Sequence, residues 1–163
     1  GMEAYGLSRR LGCPVEEAAE ILDSYFSAFP AVRAYMDHTV EEARRKGYTE
    51  TLFGRRRRIP ELSSPNFNVR QAGERQAMNA AIQGLAADIF KVALIRIDGR
   101  LRAEASASNL VLQVHDEVIL EVLPDELSDV EAMVNVEMCG AYELRVDLAV
   151  ELATGTTWAA AKG

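Results

Sequence analysis

Leu110-Val111-Leu112-Gln113-Val114-His115-Asp116-Glu117-Val118-Ile119-Leu120-Glu121-Val122 decides the fold class. Two apolar, β-branched arms flank a short polar break, the pattern of a β-hairpin whose arms are buried and whose connection is not. The break carries two adjacent carboxylates, so charge is concentrated at the rim of a core, where a cation or a phosphate can meet it. Asp is also an ordinary turn residue, and a charged hairpin tip requires no function. Asp116 and Glu117 are hard oxygen donors of the kind Mg²⁺ takes. In a regular strand Glu117 points to the opposite face from its neighbour, so a metal at Asp116 calls for a further carboxylate from elsewhere.

Working outward, the region before the hairpin reads as one long helix over residues 69–105, with Met78, Ile82, Leu85, Ile89 and Val92 as its apolar stripe and Gly84 as an interruption. After the hairpin, residues 125–138 are patterned as an amphipathic helix, and Val146, Leu148, Val150 and Leu152 alternate as in a strand. Towards the N-terminus, apolar spacing predicts helices over residues 14–28 and 31–46, separated by Pro30 and closed by Gly47. Residues 48–53 and 57–60 form a short strand pair turning at Gly54. The expected class is α+β: an antiparallel sheet backed by long helices, with a helical hairpin at the N-terminus.

The 163 residues are 48% hydrophobic and 26% charged, enough to bury a core. No apolar run approaches the roughly 20 residues needed to cross a bilayer, and no signal-peptide pattern opens the chain, so a cytoplasmic protein with no membrane partner is expected. Cys13 and Cys139 stand in no metal or redox motif. His38 is the only histidine besides His115, which excludes a histidine metal cluster, and neither a nucleophile elbow nor a Gly-rich phosphate loop is present.

The net charge of −7 is unevenly spread. From Arg44 to Arg75 nine basic residues face three acidic ones, a net of +6, and the remainder of the chain carries −13. Such a segment suits a phosphate backbone, or is simply a solvated charge run. On the long helix Arg75, Asn79 and Gln83 stand four apart, within an arc of roughly 80°. Their donors can reach the minor-groove acceptors present in every base pair, which would test pairing without reading sequence. They can equally be surface residues of a packed helix.

Taken together, these blocks resemble the family A DNA polymerases, the bacterial DNA polymerase I group. Gln113-Val114-His115-Asp116-Glu117 resembles the family's C motif, residues 47–57 (GYTETLFGRRR) its GY-x-ETLFGRRR stretch, and residues 74–88 its ER-x-x-x-N-x-P-x-QG-x-AAD block. Residues 1–8 are similar to the segment after the nucleotide-binding fingers helix, and Gly155-Thr156-Thr157-Trp158 to the closing G-x-x-W. The resemblance implies a template-directed nucleotidyl transferase using two Mg²⁺ ions, with primer-template DNA and dNTPs as partners. It implies that Asp116 is a metal-binding catalytic carboxylate, that Glu117 assists, and that His115 lies near the primer terminus. Arg75, Asn79 and Gln83 would contact DNA in the minor groove, with Arg55, Arg56 and Arg57 close to the backbone. Residues 1–47 would be the distal fingers and residues 48–163 most of the palm.

Three positions depart from the pattern: Ala81 for a Pro, Arg58 for an aromatic and Leu85 for a small polar residue. The A motif, D-[YF]-S-Q-[IL]-E, which supplies the second catalytic aspartate, occurs nowhere in the chain. The expectation is therefore a C-terminal fragment that lacks the N-terminal part of the polymerase domain and does not extend primers alone. A non-catalytic primer-template-binding module and a purely structural fragment are the alternatives.

Overall fold

A computed structural model describes residues 2–104 and 106–162. Six helices, two antiparallel strand pairs and two 3-10 turns follow in the order α1 (Ala4–Leu11), α2 (Val15–Ala28), α3 (Pro30–Lys46), β1 (Tyr48–Glu50), β2 (Arg56–Arg58), a turn at Pro60–Ser63, α4 (Phe67–Ala103), β3 (Asn109–Val114), β4 (Glu117–Glu121), a turn at Pro124–Glu126, α5 (Leu127–Cys139) and α6 (Trp158–Lys162). The chain is α+β, as its patterning predicts. Its contacts divide it into two compact units, one ending at Leu85 and the other starting at Ala86. Among the described residues no helix is long and apolar enough to cross a membrane.

In the first unit, Phe29 alone separates α2 from α3: its N–H closes α2 on the Tyr25 carbonyl, and its own carbonyl accepts from Val32 at the start of α3. Arg44, Arg45 and Lys46 fill the last turn of α3, where the carbonyl end of the helix favours cations, and Gly47 ends it in the left-handed conformation. β1 and β2 then pair Tyr48 with Arg58, Thr49 with Arg57 and Glu50 with Arg56. The core joins Val40 and Ala43 of α3, Ile59, Leu62 and Ala77 of α4, with Met78 packed against it.

Of the apolar stripe expected on α4, Met78 packs on the core and Leu85, Ile89 and Val92 are half-buried, but the fully buried positions nearby are smaller residues. Ile82 is 58% exposed, whereas Gly73, Ala77 and Ala80 are buried. The reason is close approach. A Cβ at Gly73 would stand 2.9 Å from the Cβ of Glu61 and 3.1 Å from the backbone nitrogen of Leu62. One at Gly84 would stand 2.7 Å from the Cγ2 methyl of Thr51. Small residues let the connecting segments lie against the helix backbone, and Gly84 leaves α4 continuous.

In the second unit, β3 and β4 lie over a core formed by Ile97 and Leu101 of α4 with Val130, Met133 and Val134 of α5. Leu110, Leu120, Val122 and Met138 pack against it. The strand expected over residues 146–152 is not formed: no ladder pairs with it among the described residues, and Val146 is 71% exposed. Alternation fits a strand to a half-buried surface, but without a neighbouring edge its N–H and C=O groups gain nothing from extension.

Thr51 cannot easily yield at the Gly84 contact, because its Oγ1 accepts from the N–H groups of Phe53 and Arg55 and so holds the methyl in place. Gly84→Ala should gain about 1 kcal/mol of helix propensity and lose more than that to the clash, lowering stability by roughly 1 kcal/mol. Thr51→Ser removes the methyl and keeps the hydroxyl, so adding it to Gly84→Ala should restore the urea midpoint. Simple additivity of the two effects would show that the contact is not what requires glycine.

Candidate active-site hairpin and nucleic-acid interface

The β3–β4 register puts one of the two carboxylates expected at the hairpin tip, Asp116, in the turn, and makes the other, Glu117, the first residue of β4. Val114 pairs with Glu117, leaving His115 and Asp116 as a two-residue loop. Such tight loops match the strand twist only when a central residue has positive φ, and His115 supplies it at 55°. Histidine is among the residues that tolerate this region. The Gln113 side-chain amide donates to the His115 carbonyl at 3.2 Å, bracing the turn from the β3 side. Nearer the root, Leu110 pairs with Leu120 and Leu112 with Ile119, so Val111 is the extra residue of a β-bulge.

Asp116 and Glu117 have opposite surroundings although they are neighbours. The Asp116 side chain is exposed and has no hydrogen-bond or ion-pair partner among the described residues. Glu117 is half-buried, and its Oε1 lies 2.8 Å from Lys162 Nζ of α6. Lys162 in turn sits 5.0 Å from the centre of the Trp158 ring. The other Glu117 oxygen is buried with no hydrogen-bond partner among the described residues. A buried carboxylate oxygen left unpaired costs desolvation that a cation would offset. Donor chemistry therefore fits a hard cation such as Mg²⁺, which binds through one or two carboxylates and keeps other ligands from solvent or phosphate. Among the described residues no group of three or more His, Cys, Asp or Glu side chains is gathered for a metal.

In the other unit, the ladder Arg75, Asn79 and Gln83 lies along one flank of α4, as its four-residue spacing requires. Asn79 and Gln83 are exposed. Arg75 is partly engaged: its Nη1 is 3.5 Å from Glu3 Oε1, the same oxygen that accepts from Gln71 Nε2 at 2.7 Å. A cleft of about 390 Å³ in this unit is lined by residues that include Tyr35, His38, Thr49 and Ile82, and by none of the predicted site residues.

The basic segment is less free than its +6 suggests. Arg44 pairs with Glu74, Arg45 and Lys46 share Glu42, and Arg56 pairs with Glu50 while stacking over the Tyr48 ring at 4.8 Å. Hydrogen bonds from Arg45 and then Lys46 hold the Glu42 carboxyl down to about 2, so it remains ionised through mild acid. Arg57 donates to Gln76 Oε1 at a long 3.4 Å, and Arg70 donates to the Ser64 carbonyl at 3.0 Å. These pairs are mostly at the surface, where each is worth about 0–1 kcal/mol, so a phosphate backbone can exchange with them at little cost. Sequence patterning did not mark Lys162, whose contact with Glu117 spans 45 positions, or the short helices α1 and α6. For α6 the closing Gly155-Thr156-Thr157-Trp158 block was the available signal.

The family model for DNA polymerase family A matches residues 1–160. Among curated relatives, DNA polymerase I of Mycobacterium tuberculosis is 52% identical over 161 residues, covering 99% of this chain and 18% of that protein. DNA polymerase I of Lactococcus lactis subsp. cremoris is 47% identical over 162 residues, again covering 99% of this chain and 18% of the relative. Among solved structures, the POL domain of Pol1 from M. smegmatis, in complex with DNA primer-template and dNTP, superposes with a TM-score of 0.97 at 45% identity. That match covers 100% of this chain and 29% of that one. The chain thus spans under a fifth of the length of the curated relatives it matches. With a family model spanning nearly every residue and the same fold in a solved relative, the chain belongs to the family A DNA polymerases.

Proposed function

We propose that this chain is the distal fingers (residues 1–47) and most of the palm (residues 48–163) of a cytoplasmic, DNA-directed DNA polymerase. The observation that carries the reading is the Asp116 carboxylate, exposed and without a partner among the described residues on a two-residue hairpin turn, within a family whose solved relative holds primer-template and dNTP. A free carboxylate on a braced turn is what a phosphoryl-transfer site requires, because misplacement by about 1 Å can cost a hundredfold in rate.

Asp116 would hold Mg²⁺, with Glu117 assisting through the oxygen that Lys162 leaves unpaired. When bound, the pair of Mg²⁺ ions would neutralise phosphate charge and favour ionisation of the primer 3′-hydroxyl. His115, beside Asp116 in the loop, would lie near the primer terminus. Arg75, Asn79 and Gln83 would donate to minor-groove acceptors of the primer-template, Arg75 exchanging its loose contact with Glu3 for DNA. Arg55, Arg56 and Arg57 would run near the phosphate backbone, with Arg56 trading Glu50 for phosphate. The remaining part of the polymerase domain, including the second aspartate and the residues that grip the triphosphate, would come from outside these 163 residues. The isolated chain would then lack most of the electrostatic stabilisation that the reaction needs.

The test is a chimaera in which this chain replaces the segment it matches in the M. tuberculosis DNA polymerase I. The chimaera should extend primers, and Asp116→Asn in it should lower kcat by about a hundredfold or more without weakening primer-template binding. The isolated 163-residue chain should incorporate no dNTP. An Asp116→Asn chimaera within threefold of its parent would contradict the metal role. A chimaera that binds DNA but never extends a primer would favour a non-catalytic binding module.

A second outcome separates the ladder from the basic segment. Gln83→Ala in the chimaera should weaken primer-template binding by roughly two- to tenfold, with an unchanged salt slope. Replacing an Arg that contacts phosphate should lower that slope by about one. Titrating binding against salt for both variants distinguishes groove contacts from phosphate contacts.

A further inference from the structure

The hairpin that carries Asp116 is held at its root. Leu110, Leu120 and Val122 pack on the α4–α5 core, whereas Val111, Leu112, Gln113, His115 and Asp116 are exposed. Beyond the β3–β4 ladder and the half-buried Val114, Val118 and Ile119, the polar side-chain restraints at the tip among the described residues are the Gln113–His115 hydrogen bond and the Lys162–Glu117 ion pair. Asp116 stands eight residues beyond Ser108, at most roughly 27 Å along the strand, so a tilt of about 3° at the root would displace it by about 1.4 Å. The hydrophobic driving force is non-directional, so a directional contact at the root adds to the orientation that side-chain packing sets.

One carboxylate ties the segment before β3 to the helix behind it, and Ser108 extends the link to the end of β4. Glu126 Oε2 accepts from Ser106 Oγ and Ser108 Oγ, each at 2.5 Å, and from Ser108 N–H at 3.2 Å, while Oε1 accepts from Ala107 N–H at 3.1 Å. Ser108 precedes β3 and is only 3% exposed, and its Oγ also accepts from the Leu123 N–H just after β4, at 3.1 Å. Glu126 stands at the N-terminal edge of α5 yet makes no side-chain cap to that helix. Its hydrogen bonding is spent on the hairpin root. The Ser106, Ser108 and Ala107 donors hold its carboxyl down to about 2, so it is the ionised acceptor at neutral pH.

We propose that Glu126, through Ser106 and Ser108, is a positioning residue for Asp116: it locks both ends of the hairpin to the start of α5 and so sets the direction and register of the tip. The role rests on the polymerase reading. It differs from a fold-stabilising role in acting on kcat while leaving substrate binding alone.

In the same chimaera, Glu126→Gln keeps the side-chain volume and removes the charged acceptor. It should lower kcat at least tenfold with KM for dNTP and Kd for primer-template each within twofold of the parent. Ser106→Ala should lower kcat at least threefold, and Ser106→Thr, which keeps the hydroxyl, should stay within twofold. Each variant is assayed at a fixed interval below its own Tm. If Glu126→Gln melts more than about 10 °C below the parent, the Ser106 pair decides by the same criterion.

A kcat within twofold of the parent for Glu126→Gln, beside an inactive Asp116→Asn, would overturn the positioning role and leave the polymerase reading intact. Recovery of full activity at matched intervals below Tm would likewise overturn it, as a stability effect only. A fully active Asp116→Asn chimaera would overturn the polymerase reading and this inference with it.

Discussion

Both hydrophobic cores are built on one helix. Ala77 of α4 is sealed against Val40, Ala43, Ile59 and Leu62, and Ile97 and Leu101 of the same helix are sealed against α5 and the hairpin arms. Burial of each fixes which side of the helix is left to solvent. In the first unit Asn79 and Gln83 are on that open side because Ala77 and Ala80 are not. In the second, the two β arms must present Leu110, Leu120 and Val122 to α4 and α5, and this leaves the polar turn standing clear. Each core thus disposes of the candidate site residues in its own unit.

Packing and polar contacts divide the remaining tasks between them. Packing decides which elements form and which face they bury, at about 25 cal/mol for each Å² removed from water. It leaves a turn's dihedral angle, and the last few degrees of a strand's tilt, to other contacts. Those depend on directional groups: the His115 backbone at positive φ, the Gln113 amide on the His115 carbonyl, and the Glu126 carboxylate on the serines at the hairpin root. Charge at the surface is the least committed part. Most of the arginines in the basic segment have glutamate or backbone partners that a phosphate can replace.

Much of this was legible in the sequence where punctuation and periodicity agree. Pro30 and Gly47 bound α3 within a residue of where it runs, and the apolar arms around His115-Asp116 located the hairpin turn. Legibility ended where the physics is non-local or favours small residues. Apolar periodicity marks large side chains, so it chose Ile82 for the core when the closest contacts run along Gly73, Ala77 and Gly84. Alternation over residues 146–152 describes a face, but a strand needs an edge to pair with, and none meets it among the described residues. Lys162 and Glu126 carry no local signal, because each acts on a segment far from it in the chain.

The central claim is that Asp116 on this turn is a metal-binding carboxylate. Its most direct test is anomalous scattering from Mn²⁺ substituted for Mg²⁺ in crystals of the chimaera with primer-template and incoming nucleotide. The expected result is an anomalous peak within about 2.5 Å of an Asp116 carboxylate oxygen. Manganese peaks in a well-ordered complex that all lie beyond about 4 Å from Asp116 would contradict it.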